Sequence, residues 1–150
     1  KPVLYQRSAE PRTRQLNLKE LPPVVVASSG RPGITRDQVA GVQKRRAQQP
    51  ERVNAIFNEM DAISLAGAEA LQEANYGELG VLMNLCQGFL NAIGVSTPEL
   101  EAMVGLARTA GAAGAKLTGA GGGGSMVALC PGTQDQVADA LGSAGYDIIA

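Results

Sequence analysis

Apolar residues recur every three to four positions along two long stretches of the chain. Over residues 51–73, Val53, Ile56, Phe57, Met60, Ile63, Ser64, Ala70 and Leu71 mark one side. Over 75–93, Leu79, Leu82, Met83, Cys86, Phe89, Leu90 and Ile93 do the same. This period predicts two amphipathic helices, the second stopped by Gly94. A third helix starts at Ser96-Thr97-Pro98-Glu99, where Ser96 and Glu99 have capping-box spacing and Pro98 suits the first turn. Its buried face is Leu100, Met103, Val104 and Ala107, and Gly111 closes it. An earlier helix begins near Thr35 or Arg36, with Val39, Ala40 and Val42 as its apolar side, and Pro50 ends it or begins the next. A last helix spans 133–143.

Shorter runs read as strands: 3–6, 15–18, 24–27, 115–118, 125–129 and 147–149. Val24-Val25-Val26-Ala27 is a β-branched run between Pro22-Pro23 and Ser28-Ser29-Gly30, the signature of a buried strand. In 125–129, Met126 and Ala128, followed by Cys130, lie on one face, and Val127 and Leu129 on the other. The order is strands, four helices, a hairpin-like pair, a helix and a strand. It predicts an α+β fold with helices packed on one side of a mostly antiparallel sheet.

Composition narrows the chemistry. Of the 150 residues, 45% are hydrophobic and 18% charged, which is globular composition. Aromatics are 3% and Trp is absent, so the core is aliphatic. The absence of His excludes His-based metal sites and His acid–base catalysis. Cys86 and Cys130 have no metal-type spacing, and with no signal sequence they suggest a reducing cytosol and a cytoplasmic location. No apolar run approaches a membrane span. The net charge of −1 gives no overall bias toward nucleic acid or acidic membranes. The charge is uneven, however: residues 1–52 hold 11 Lys/Arg against 4 Asp/Glu, and residues 53–150 hold 2 against 10. The basic stretch from Arg31 to Arg52 reads as a solvated helix face and loop, or as an attractor of phosphate or an acidic surface. The opening Lys1-Pro2-Val3-Leu4-Tyr5 reads as the inside of a strand, which suggests part of a longer protein.

Gly119-Ala120-Gly121-Gly122-Gly123-Gly124 carries the strongest chemical signal. Five of its six residues are Gly, a high entropic cost unless the backbone needs positive φ or a close approach. A flexible linker is disfavoured by the strand-like flanks Lys116-Leu117-Thr118 and Met126-Val127-Ala128-Leu129. A tight turn would need one or two Gly. A cradle of bare backbone N–H groups around an anion fits best. The segment is not a Walker-type loop, because Lys116 precedes the glycines. Its formal G-x-G-x-x-G leads into a strand rather than a helix, so the dinucleotide-binding reading fails.

Lys116 through Gly124 closely resembles the third conserved motif of the GHMP kinase family, and the Lys-Leu-Thr lead with four consecutive glycines is most like its mevalonate kinase branch. Thr35-Arg36-Asp37-Gln38-Val39-Ala40-Gly41-Val42, Asp61-Ala62-Ile63-Ser64-Leu65 and the segment from Leu82 to Pro98 are similar to other family segments. The resemblance spans roughly 24–150. Ser125 stands where Cys is usual, and Cys86 where a polar residue is usual.

The resemblance implies a GHMP C-terminal domain over 24–150, with a ferredoxin-like sheet, and residues 1–23 as the tail of a preceding domain or as connecting strands. It implies ATP-dependent phosphoryl transfer to the 5-hydroxyl of mevalonate, with Mg2+ held by ligands outside this chain. Gly119, Ala120, Gly121, Gly122, Gly123, Gly124 and Ser125 would sit beside the phosphates. Thr35 matches a threonine on the substrate side; the alternative is a helix N-cap. Lys116 is open between a strand residue facing solvent or another domain and a catalytic group. The family's Pro-x-x-x-Gly-Leu-Gly-Ser-Ser ATP loop does not occur in these residues, and the acceptor-activating aspartate is expected upstream of Lys1. Asp37 and Asp61 match other positions. No catalytic residue and no metal ligand is therefore assigned here, an N-terminal kinase domain is the expected partner, and the chain alone is expected to be inactive. Homodimerisation is left open. Another GHMP kinase acting on phosphomevalonate or a sugar, and a non-catalytic binding module, are the alternatives.

Overall fold

A computed structural model describes residues 2–7 and 10–150. Lys1, at the start of the opening segment that reads as a strand, and Ser8 and Ala9 lie outside the described residues. The elements are β1 (Val3–Tyr5), β2 (Thr13–Gln15), β3 (Val24–Ser28), α1 (Thr35–Gln48), α2 (Pro50–Glu73), α3 (Tyr76–Ala92), α4 (Pro98–Thr109), β4 (Gly114–Leu117), β5 (Ser125–Leu129), α5 (Gln134–Ser143) and β6 (Asp147–Ile148).

Strands β3 to β6 form one antiparallel sheet in the order β4-β5-β3-β6. Between β3 and β6 the chain runs strand, helices, strand, strand, helix, strand, the split β-α-β arrangement of ferredoxin-like folds. Register puts Val25 opposite Ala128, Ala27 opposite Met126, Ala115 opposite Ala128 and Leu117 opposite Met126. These six residues share one face because side chains alternate along a strand. That face is the floor of the core. Leu100, Met103, Val104 and Ala107 of α4 and Val137 and Leu141 of α5 close over it, all essentially without exposed surface.

Helix α3 lies along β4, and α2 packs on α3. A side chain at Gly80 would run into the Ala113 carbonyl, so the helix backbone comes directly against the strand. Strands β1 and β2 form a separate two-stranded sheet, with Val3 opposite Gln15.

Three local expectations need correction. The strand expected at 15–18 is at 13–15, because pairing with β1 sets its register rather than the Leu16/Leu18 alternation. The cap of α4 is Thr97, whose hydroxyl accepts from the Leu100 N–H at 3.2 Å; Pro98 at the first helical position makes the residue before it the N-cap. Finally, α1 has no buried residue, and Val39 on its expected apolar side is 50% exposed.

Candidate functional site

The glycine-rich segment connects β4 to β5. Its strand ends are joined by the Thr118 N–H donating to the Ser125 carbonyl at 3.0 Å. All five glycines from 119 to 124 have positive φ. The requirement is sharpest at Gly121, which is buried with φ +80; a Cβ there would overlap the Val95 carbonyl. The loop is pinned by its backbone at two points. Gly122 N–H donates to the Val95 carbonyl and Gly124 N–H to the Arg31 carbonyl, both at 2.7 Å. The Gly124 carbonyl in turn accepts from Ser29 N–H at 3.0 Å. Among the described residues, the amides of Gly119, Ala120, Gly121 and Gly123 donate to no protein acceptor.

The segment between β3 and α1 lies against this loop. Any side chain at Gly33 would collide with the Gly121 carbonyl, so two backbones meet here with nothing between them. The result is an open hollow of about 330 Å³ lined by Pro32, Gly33, Thr35, Thr118, Ser125 and the loop glycines 119, 121, 123 and 124 with Ala120. Thr35 and the glycine loop, 84 to 89 positions apart in the sequence, thus share one site. Thr35 is exposed and is the first residue of α1. The cap is Ile34, with no side-chain capping bond, so the N-cap alternative for Thr35 does not hold. Unused amides, hydroxyls and bare backbone suit an oxyanion. The lining has no carboxylate, and among the described residues no three His, Cys, Asp or Glu side chains cluster to hold a metal. These residues fit phosphate oxygens and do not fit Mg2+ as ligands.

Lys116 does not line the hollow; it is half-buried, and its Nζ donates to the Leu117 carbonyl at 2.8 Å. Its charge lies close enough to oppose the burial that raises the Cys86 thiol pKa. Two residues of the basic run have structural partners. Arg46 donates from Nε to Asn54 Oδ1 at 2.7 Å and lies over the Phe57 ring, while the Arg45 guanidinium covers Gly94. Arg36 is almost fully exposed, its Nε 3.8 Å from Oδ1 of the exposed Asp37.

Sequence reasoning missed the support beneath the loop. Asn84 and Gln87 of α3 reach the outer edge of β4. Asn84 Oδ1 accepts from Ala115 N–H at 3.1 Å, and Gln87 Oε1 from Leu117 N–H at 2.8 Å. Gln87 is 2% exposed and donates from Nε2 to Ser96 Oγ at 3.1 Å and to Glu101 Oε1 at 2.8 Å. Burial would raise the Glu101 pKa, but hydrogen bonds from Ser96, Asn91 and Gln87 and the Arg108 charge outweigh it, and the net shift is downward. Arg108 donates to the Ala115 carbonyl at 2.8 Å; its own pKa is lowered by burial, which the Glu101 charge opposes. The available signal was a polar residue on an apolar stripe, since Gln87 stands four after Met83 and three before Leu90.

The fold and the loop define a class of protein. Residues 68–147 match the family model for the GHMP kinases C terminal, and the chain belongs to that family. Its similar relatives are mevalonate kinases. The mevalonate kinase of Pyrococcus abyssi is 45% identical over 147 residues, covering 95% of this chain and 43% of the relative. That of Methanothermobacter thermautotrophicus is 44% identical, covering 92% of this chain and 45% of the relative. The crystal structure of L. major mevalonate kinase in complex with R-mevalonate aligns with a TM-score of 0.83 at 33% identity, over 87% of this chain and 41% of that one. A phosphomevalonate kinase from Streptococcus pneumoniae, at 15% identity and TM-score 0.78, shares the fold. The chain therefore spans less than half the length of the curated relatives it matches.

Proposed function

We propose that this chain forms one wall of the active site of an ATP-dependent mevalonate kinase, with the glycine loop against the ATP phosphates and Thr35 toward the acceptor. The observation that carries this reading is the shared hollow: Thr35 and loop residues whose amides have no protein acceptor among the described residues line one space. Phosphoryl transfer relies mainly on positioning and on neutralising charge spread over the transferred oxygens. Fixed amide dipoles serve that purpose without reorganising during the reaction. Bare backbone lets the phosphates come within hydrogen-bonding distance, and Gly33 and Gly121 let the loop backbone pack directly against its neighbours.

Among the described residues, no carboxylate lines the hollow. The acceptor-activating base, the main ATP loop and the Mg2+ ligands belong, on this reading, to an N-terminal kinase domain, and residues 1–23 to the junction with it. The 150-residue chain alone is then inactive. The unpaired thiols of Cys86 and Cys130 suit a cytoplasmic enzyme. No helix of the described residues is long and apolar enough to cross a membrane.

ADP release by the complete protein, compared across mevalonate, phosphomevalonate and galactose, tests the proposal. Turnover dependent on mevalonate supports it; turnover with only one of the others moves the protein to another branch of the family. Thr35→Ala should raise the KM for mevalonate more than that for ATP, and the opposite split would misplace Thr35.

A further inference from the structure

We infer that Gln87 is a positioning residue for the glycine loop, holding the strand that enters the loop and the connection beneath it through one buried amide; the inference rests on the phosphate-site reading above. Gln87 lies mid-helix in α3 and touches no part of the hollow. Its carbonyl oxygen holds Leu117, the last residue of β4 before the loop. Its NH2 group holds Ser96, next to Val95, whose carbonyl carries Gly122 N–H. Entry to the loop and the floor beneath it are therefore fixed to the same side chain. Both amide protons are committed, one to a hydroxyl and one to the Glu101 carboxylate, which the stronger charged hydrogen bond holds in place.

Neighbouring Asn84 shows what is specific to Gln87. Both side chains satisfy outward N–H groups of the edge strand, at Ala115 and Leu117. Three helix residues advance about 4.5 Å and two strand residues about 6.6 Å, so a longer side chain is needed at the second position. Gln supplies one more methylene than Asn. Only Gln87 also reaches the α3–α4 connection under the loop. Asn84 instead returns its NH2 group to the Ala113 carbonyl at 3.3 Å. Asn84 thus secures the strand, whereas Gln87 secures the strand and the loop together.

The charged and titratable groups around Gln87 are Glu101 and Arg108 from α4, Lys116 from β4 and the Cys86 thiol from α3 itself. The carboxyl introduced by Q87E could still accept from Leu117 N–H. Ionised, it would face Glu101 with no proton to donate; protonated, it would restore that bond. A variant impaired at alkaline pH should therefore recover as pH falls.

The test uses the complete enzyme with Q87L, Q87E and N84L. Q87L leaves the buried Leu117 N–H without its partner and takes one hydrogen bond from the Glu101 carboxylate, and the KM for ATP should rise by about tenfold or more. N84L should lose thermal stability but keep its KM for ATP within about twofold, because the branch to Ser96 is intact. The kcat/KM of Q87E relative to wild type should rise by about threefold or more from pH 8 to pH 6. Equal KM effects in Q87L and N84L, or a Q87E ratio that does not change with pH, would overturn the inference. If the wild-type protein does not phosphorylate mevalonate, the functional proposal fails by itself. Amide hydrogen exchange then decides on Gln87: faster exchange at 119–124 in Q87L but not N84L supports it, and equal exchange in the two variants overturns it.

Discussion

Gly121→Ala and Gly119→Ala separate the two reasons for glycine in the loop. Both residues have nearly the same positive φ, +77 at Gly119 and +80 at Gly121. An alanine at either position carries a left-handed penalty of about 1–2 kcal/mol. The surroundings differ. A Cβ at Gly119 meets nothing within 4 Å, whereas one at Gly121 overlaps the Val95 carbonyl and approaches the Val95 side chain. Relief requires moving the loop off Val95, which breaks the 2.7 Å bond from Gly122 N–H and removes a contact at the base of the site. That adds about 1–3 kcal/mol. Unfolding temperature falls by about 2–4 °C per kcal/mol for a domain of this size. Gly119→Ala should therefore cost about 4 °C and Gly121→Ala about 10 °C, followed by circular dichroism in the complete protein. Equal losses, or a larger loss for Gly119→Ala, would refute the claim that packing on Val95 shapes the loop.

Other consequences follow from single residues. Ala74, at the end of α2, has φ +56, and Ala74→Gly should stabilise by about 1 kcal/mol in urea titrations by removing that strain. Met103 has no exposed surface, and Met103→Ala should cost about 2–5 kcal/mol with an unchanged m-value. Thr97→Ala should cost about 1 kcal/mol by removing the cap of α4, whereas Ser96→Ala should leave that cap intact. Because the Glu101 pKa is lowered on folding, its contribution is fully present above its ordinary value of 4.5 and is lost as pH falls through the folded value. Glu101→Gln should flatten the acid limb of stability against pH below about 4.5, and an unchanged limb would remove Glu101 as a contributor.

The parts of the fold legible in the sequence were those set by local pattern. Helices α2 and α3 have a 3.6-residue period over many turns, and β5 has clean alternation between a glycine loop and Pro131, so their bounds were readable to within a residue or two. Partner-dependent features were not. The position of β2 depends on its pairing with β1. The exposure of α1 depends on its packing, which is chiefly against α2; its Val-Ala-Gly-Val segment looks like a buried face in isolation. Ser96 and Thr97 are both competent caps, and the buried amide of Gln87 takes the Ser96 hydroxyl into a different bond. At the site, the glycine loop was evident from composition. Its meeting with Thr35 was suggested by resemblance and appears in the geometry as one hollow. The Gln87 brace arises from four separate segments and leaves only a faint mark, one polar residue on an apolar stripe.

The central claim is that the unpaired loop amides receive ATP phosphates. It is tested most directly by NMR of the complete protein, labelled at the glycine and alanine amides and titrated with a non-hydrolysable ATP analogue. The account predicts saturable shifts and exchange protection at Gly119, Ala120, Gly121 and Gly123, whose amides have no protein acceptor among the described residues. Gly122 and Gly124, already bonded to Val95 and Arg31, should respond less. Saturable nucleotide binding that leaves the amides of 119–123 unmoved would contradict it.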